Sequence, residues 1–345
     1  MSQPFSGAIH RPQTDDRPLW DVVFGVYGYP AILLAHKLKL FPMLADKPRP
    51  LAEICDALKI PGRPAAALVT VATALGFLSL QDGRYKLTPL SEKYLLDSSP
   101  TYFGGELDLT IALSSVWSLE SLEKAILTYT PQIYGGGREM FKSHEEQADL
   151  ARAFTRAMHS TSMGPALAWP EAIDLAQHQL MLDVGGGSGA HCIGAALRWS
   201  TLHAVVFDTP PVCEVAEEFI ARQGLQDRIR TQRGDMWQDP FPPADLHFYS
   251  QIYHDWLPEK CRFLTQKSFA SLEPGGRIII HEMLYHDDKR GPFPVAAFNI
   301  IMLLATEGQQ YSGTELGAML GEAGFTDIEV KPTFGYWSIV TGRKP

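Results

Sequence analysis

Eight residues, Leu182-Asp183-Val184-Gly185-Gly186-Gly187-Ser188-Gly189, constrain the fold of this chain more than any other segment. They close a strand-like apolar run at 180–184 and open a helical stretch. Glycines at such a junction let backbone amides approach a ligand, and the helix N-terminus behind them favours an anionic group. Alone the turn is weak evidence, because nicotinamide-dinucleotide enzymes use a related one. Its surroundings narrow the reading. Asp208 ends the next strand-like run, 21 residues after Gly187, where an acid can hydrogen-bond a ribose diol. Asp235-Met236-Trp237 follows the third run and offers a carboxylate and apolar faces to an adenine ring. The competing reading of both acids is that they cap helices.

Strand-like runs recur at 203–207, 229–233, 246–249, 277–281, 328–330 and 337–340, alternating with helical ones. That alternation predicts an α/β domain over 166–345, with a mainly parallel, Rossmann-like sheet covered on both faces. Residues 1–165 read as a second, mainly helical domain. Residues 1–17 are a polar, Pro-containing arm. Two helices are expected between Trp20 and Leu44, broken at Tyr27-Gly28-Tyr29-Pro30. Short helices at 51–58 and 63–75 follow, then a hairpin about Asp82-Gly83, a pair suited to the positive φ of a tight turn. Helices followed by a hairpin make a winged-helix-like pattern, whose familiar use is DNA binding. Here Arg63 is the only basic residue of the would-be recognition segment, 62–75, so a role in pairing two subunits is the better expectation. Further along, Gln132-Ile133-Tyr134-Gly135-Gly136-Gly137 reads as a loop able to approach a ligand.

The 345 residues carry a net charge of −9, which repels nucleic-acid backbones and anionic membranes. Cys55, Cys192, Cys213 and Cys261 show neither CxxC pairing nor metal-ligand spacing, as expected of reduced thiols in the cytoplasm. Met1 to Ser6 shows no basic segment leading into an apolar core, and no run of about 18 apolar residues stands out. Neither secretion nor a membrane span is expected.

These motifs together resemble the plant-type small-molecule O-methyltransferases and their bacterial relatives, over nearly the whole chain. The resemblance implies that Asp183, Gly185, Gly187, Asp208, Asp235, Met236, Ser250 and Trp256 bind S-adenosylmethionine (SAM), leaving S-adenosylhomocysteine as product. It implies a homodimer acting on a small molecule, without a metal. His254-Asp255-Trp256 is similar to the family's catalytic motif, with His254 as general base and Glu282 orienting it. Tyr134, Met158, Tyr253, Met302 and Tyr311 are then expected to line the acceptor site.

Two departures matter. Gly308-Gln309-Gln310-Tyr311-Ser312 stands where the family carries a second catalytic acid, so Gln310 replaces a glutamate. Ser250 stands where plant members have a cofactor-contacting lysine. A glutamine orients a substrate but cannot hold an imidazolium by charge. A phenol must lose a proton on methylation, whereas a thioether has none to lose and needs alignment and cation-tolerant walls, which Tyr134, Tyr253, Tyr311 and Trp337 offer. The segments around Asp235, His254, Glu282 and Gln310 also resemble a narrower branch, the methylthiohydroxybutyrate S-methyltransferases of dimethylsulfoniopropionate synthesis. S-methylation of a thioether hydroxy acid is therefore the leading expectation, O-methylation of a phenol or enol the alternative, and a non-catalytic SAM-binding protein a distant third. His247, His254, His281, Glu282 and His286 lack recognisable metal-ligand spacing.

Overall fold

A computed structural model describes residues 13–114, 118–132 and 148–345. Tyr134 and the rest of its glycine loop, and the arm up to residue 12, lie outside the described residues. The chain forms two compact units, Met1–Ser99 and Pro100–Pro345. This places the division well before the expected 165/166 boundary. The reason is helix packing in the second unit. Helix α8 (Ala148–Ala168) packs on α6 (Gly104–Ala112), α9 (Ala190–Arg198) and α10 (Pro210–Arg222), all within that unit. The α8/α9 crossing is so close that a Cβ at Gly194 would meet the Ala166 carbonyl oxygen at 2.0 Å.

In the first unit, the stretch from Trp20 to Leu44 holds two helices as expected, but the break falls at Leu38-Lys39 instead of at Tyr27-Gly28-Tyr29-Pro30, so α1 (Arg17–Lys37) runs through Pro30 as one helix of 21 residues. Pro30 removes one helical hydrogen bond, but the turns after it bury Ile32, Ala35 and His36, and α1 packs on α4 (Gly62–Ala74). Tertiary packing outweighs the local break. The N-terminal half of α1 exposes Leu19, Trp20, Val22, Val23, Phe24, Val26, Tyr27 and Tyr29. By length and composition alone α1 is apolar enough to cross a membrane, which the sequence reading did not anticipate, and a single such helix near an N-terminus is weak evidence for a span. Helix α2 (Leu40–Met43), strand β1 (Arg49–Pro50) and helix α3 (Leu51–Leu58) lead to α4. Strands β2 (Leu78–Gln81) and β3 (Arg84–Leu87) pair through Asp82 and Gly83, whose φ angles are 49° and 71°, and β1 adds to the edge of β3. Helix α5 (Pro89–Tyr94) follows.

The second unit holds α7 (Leu119–Thr128) and a seven-stranded sheet of order β6-β5-β4-β7-β8-β10-β9. The strands are β4 (Leu180–Val184), β5 (His203–Asp208), β6 (Ile229–Arg233), β7 (Leu246–Ser250), β8 (Arg277–Met283), β9 (Thr326–Pro332) and β10 (Trp337–Arg343). Strands β4 to β8 are parallel, and β10 runs antiparallel to both its neighbours. Nearly continuous burial along β4, β5, β7 and β8 reflects helices on both faces. One core gathers Met181, Val206, Phe248 and Ile279 under α8 and α9. The other gathers Leu182, Tyr249, Ile280 and Leu316, and lies against α11 (Pro258–Ser271) and α13 (Gly313–Ala323). This is a Rossmann-like α/β fold. The chain starts the sheet at β4, builds outward to β6, then returns beside β4 as β7, and ligands bind at the strand ends flanking such a reversal.

Candidate active site

Gly185, Gly187 and Gly189 adopt φ of 68°, 55° and 74°, conformations that side chains disfavour, and so carry the chain from β4 into α9. The Gly185 amide donates to the Phe207 carbonyl at 2.9 Å, tying the turn to β5. The Gly187 amide donates to Asp208 Oδ2 at 3.0 Å, and the Thr209 amide to Oδ1 at 2.7 Å. Burial pushes the Asp208 carboxyl up to about 6 against these donors, and the residue is half-buried at the end of β5. Asp183 instead lies beneath the turn, 1% exposed, where burial raises it to about 7 and the Cys192 thiol donates to Oδ2 at 3.4 Å. Asp235 caps its own turn. Its oxygens accept from the Trp237 amide and from Gln238 Nε2, each at 2.8 Å, and Met236 packs half-buried beside it. Ser250, the last residue of β7, beside β4, bonds His281 Nδ1 at 2.9 Å.

Across the strand ends, residues Tyr253–Asp255 form one 3-10 turn, all three buried. His254 Nδ1 stands 2.9 Å from Glu282 Oε2 on β8, and Nε2 stands 3.6 Å from Asp255 Oδ1. Although close, the Nδ1 contact misses hydrogen-bond alignment, so it acts through charge more than direction. Burial alone lowers the pKa of His254, but Glu282 and then Asp255 raise it further than that, to about 9. Burial raises Asp255 to about 7, opposed by His254. The ring of Phe298, on α12 (Phe293–Ala305), meets His254 edge-on at 5.1 Å. A buried imidazole held at Nδ1 by a carboxylate keeps Nε2 as its proton-exchanging atom.

Gln310 is 2% exposed, and neither Oε1 nor Nε2 has a partner among the described residues. Its backbone amide donates to Asn299 Oδ1 at 2.7 Å. The loop reaches this position because Gly308 lacks a side chain: a Cβ there would meet the His254 carbonyl oxygen at 2.2 Å and the Trp256 amide nitrogen at 2.4 Å.

Two of the expected acceptor residues have their hydroxyls engaged within the core. Tyr253 is fully buried in the core with its hydroxyl on Thr265 Oγ1 at 2.8 Å, and Tyr311 donates to the Trp256 carbonyl at 3.0 Å. A tyrosine next to a catalytic motif reads alike whether it faces ligand or core, and here the core has it. Trp337 stacks on His281 at 4.9 Å. Met302 is buried on α12 and Met158 half-buried on α8. Trp256 is 6% exposed, edge-on to Trp237 at 4.8 Å and under the Lys260 ammonium at 4.4 Å. The reading missed Asp255 as a charge on His254, Asn299 as the support of Gln310, and Gly308 as the close approach. Only Asp255 had a signal, its adjacency to His254. Among the described residues no group of three or more His, Cys, Asp or Glu is arranged to hold a metal.

The sequence matches the O-methyltransferase domain family over residues 119–326. It is 33% identical to 3-hydroxy-5-methyl-1-naphthoate 3-O-methyltransferase of Streptomyces sahachiroi, over 90% of this chain and 89% of that one. It is 30% identical to L-tyrosine C(3)-methyltransferase of Streptomyces lavendulae, over 91% and 89% respectively. The structure of human N-acetylserotonin methyltransferase, determined with SAM, superposes with a TM-score of 0.83 at 27% identity, covering 97% of this chain and 99% of that one. Glycine turn, buried His–Glu pair and sequence agree: the chain belongs to the O-methyltransferase domain family.

Proposed function

We propose that this protein is a SAM-dependent methyltransferase that methylates a hydroxyl group of a small phenolic or enolic molecule, with His254 as the general base. The observation that carries this is the buried His254–Glu282 contact of 2.9 Å at the strand ends. The donor half fits SAM: a Cβ at Gly187 would find nothing within 4 Å, so the turn is open to a ligand, and Asp208 is half-buried beside it. Gly185, Gly187, Asp208, Asp235 and Met236 are the residues proposed to hold SAM. When bound, SAM supplies a methyl group activated by its sulfonium. The protein's part is alignment and proton management. His254 Nε2 takes the acceptor's proton as the oxygen–methyl bond forms, and Glu282 stabilises the resulting imidazolium at Nδ1. Relatives that methylate a naphthoate hydroxyl and acetylserotonin support an aromatic acceptor.

A second reading is S-methylation of a thioether hydroxy acid such as methylthiohydroxybutyrate. Gln310 favours it: an amide with both ends unpartnered, in place of an acid, suits an acceptor that needs binding without deprotonation. Labelled SAM incubated with phenols, enols and thioether acids decides between the two. Faster turnover of phenols or enols supports O-methylation, and faster turnover of thioether acids overturns it. The exposed apolar half of α1 further supports a homodimer, which light scattering at micromolar concentration tests.

A further inference from the structure

Among the buried histidines outside the proposed proton chemistry, two face each other beside the strand ends. His281, on β8, is fully buried, and His191, on α9, is 5% exposed. Their rings meet edge-on at 5.1 Å. Among the described residues neither nitrogen of His191 has a hydrogen-bond partner, nor does His281 Nε2. His281 is clamped by aromatic rings, Trp337 at 4.9 Å and 9° on one side and Phe248 at 6.0 Å and 26° on the other. Stacking of this kind favours one ring orientation. Its one directed contact is Nδ1 with Ser250 Oγ, at 2.9 Å.

Ser250 is half-buried at the C-terminal end of β7, which pairs in parallel with β4 up to Asp183↔Phe248, just before the glycine turn. Asp208 and Asp235 lie on the other side of β4, after β5 and β6. A donor laid across the strand ends with its adenosine over β5 and β6 brings its opposite end over β4 and β7. A free serine hydroxyl samples three rotamers, whereas one bonded to a clamped imidazole is held in one.

We propose that Ser250, aimed by His281, contacts the amino-acid end of SAM, with His281 as a positioning residue and His191 its buried neighbour. This rests on the reading of the strand ends as a SAM site. Burial lowers the pKa of both imidazoles, so both rings are neutral at pH 7 and bring no charge to the site. The selectivity of this serine–histidine pair for the amino-acid end thus rests on direction rather than charge.

Calorimetry with SAM, S-adenosylhomocysteine and methylthioadenosine, which lacks the amino-acid end, tests the assignment. Ser250→Ala and His281→Phe are each expected to weaken SAM and S-adenosylhomocysteine about three- to tenfold, the range of one lost hydrogen bond, and to leave methylthioadenosine within twofold. The double variant is expected to match either single one, because both remove the same contact. His281→Asn retains a polar atom where Nδ1 stands and is expected to restore most of the affinity, and the KM for SAM to move more than kcat. Equal SAM affinity in Ser250→Ala and wild type, additive losses in the double variant, or equal losses for methylthioadenosine would each overturn the proposal. Failure of the wild type to bind SAM at all would instead refute the reading on which it rests.

Discussion

The two halves of the candidate site differ in how completely their polar groups are paired. On the donor side, Asp208 and Asp235 each accept two local hydrogen bonds, and the glycine turn is fixed to β5 by backbone bonds. On the proposed acceptor side, Gln310 is buried with an amide unpartnered among the described residues, and His254 touches Glu282 without good alignment. Unpaired buried polar groups cost on the order of 1–3 kcal/mol each, so they persist where something else will pair them. On the proposed function, the contrast gives rigidity to the donor side and discrimination to the acceptor side.

The strongest challenge to this contrast is removal of the proposed base. His254→Ala is expected to lower kcat by about 10² to 10⁴ on a phenolic acceptor, the usual range for a general base. In the wild type the rate should climb with pH toward about 9, because only the neutral ring accepts a proton and Glu282 and Asp255 hold it protonated below that. A flat profile from pH 6 to 9, with little loss in the variant, would mean that no proton is removed and would favour the thioether reading.

Next in size is the loop carrying Gln310. Gly308→Ala drives a methyl group into the His254 and Trp256 backbone, and overpacking of this kind costs about 1–3 kcal/mol. Activity should fall tenfold or more while SAM affinity, measured by calorimetry, stays within about threefold. Equal loss of both would show that the two halves are not separable. On the donor side Asp208→Ala should weaken SAM about tenfold, on the order of 1–3 kcal/mol for a charged hydrogen bond. Unchanged affinity would leave Asp208 only its part in fixing the turn.

The smallest expected effect is on stability. Because His254 is raised from 6.5 to about 9 in the folded protein, its contribution is fully present below pH 6.5 and lost as pH rises through 9. Tm should therefore decline over that window in wild type and decline less in His254→Gln. Parallel curves would show that the pair adds no stability.

Much of the sheet was legible in the sequence. The runs at 180–184, 203–207, 229–233, 246–249 and 277–281 became β4 to β8: β4, β5, β7 and β8 are apolar because strands buried on both faces must be, whereas β6, at the sheet edge, carries Arg230, Thr231, Gln232 and Arg233. The Asp82-Gly83 turn was legible from local turn chemistry. Less legible were the fate of Pro30, overridden by the packing of α1 on α4, and the unit boundary, set by where α8 packs. Sequence fixes which residue types stand at the strand ends: glycines where φ is positive, acids after β5 and β6, His254 and Glu282 after β7 and on β8. Only tertiary structure separated Tyr253 and Tyr311, engaged by Thr265 and Trp256, from Gln310, left unpartnered two residues beyond a glycine that lies on the His254 backbone. The physical reason is range. Periodicity and turn chemistry act over a few residues, whereas burial and hydrogen-bond partners are settled by segments such as 254 and 308 that are far apart in the chain.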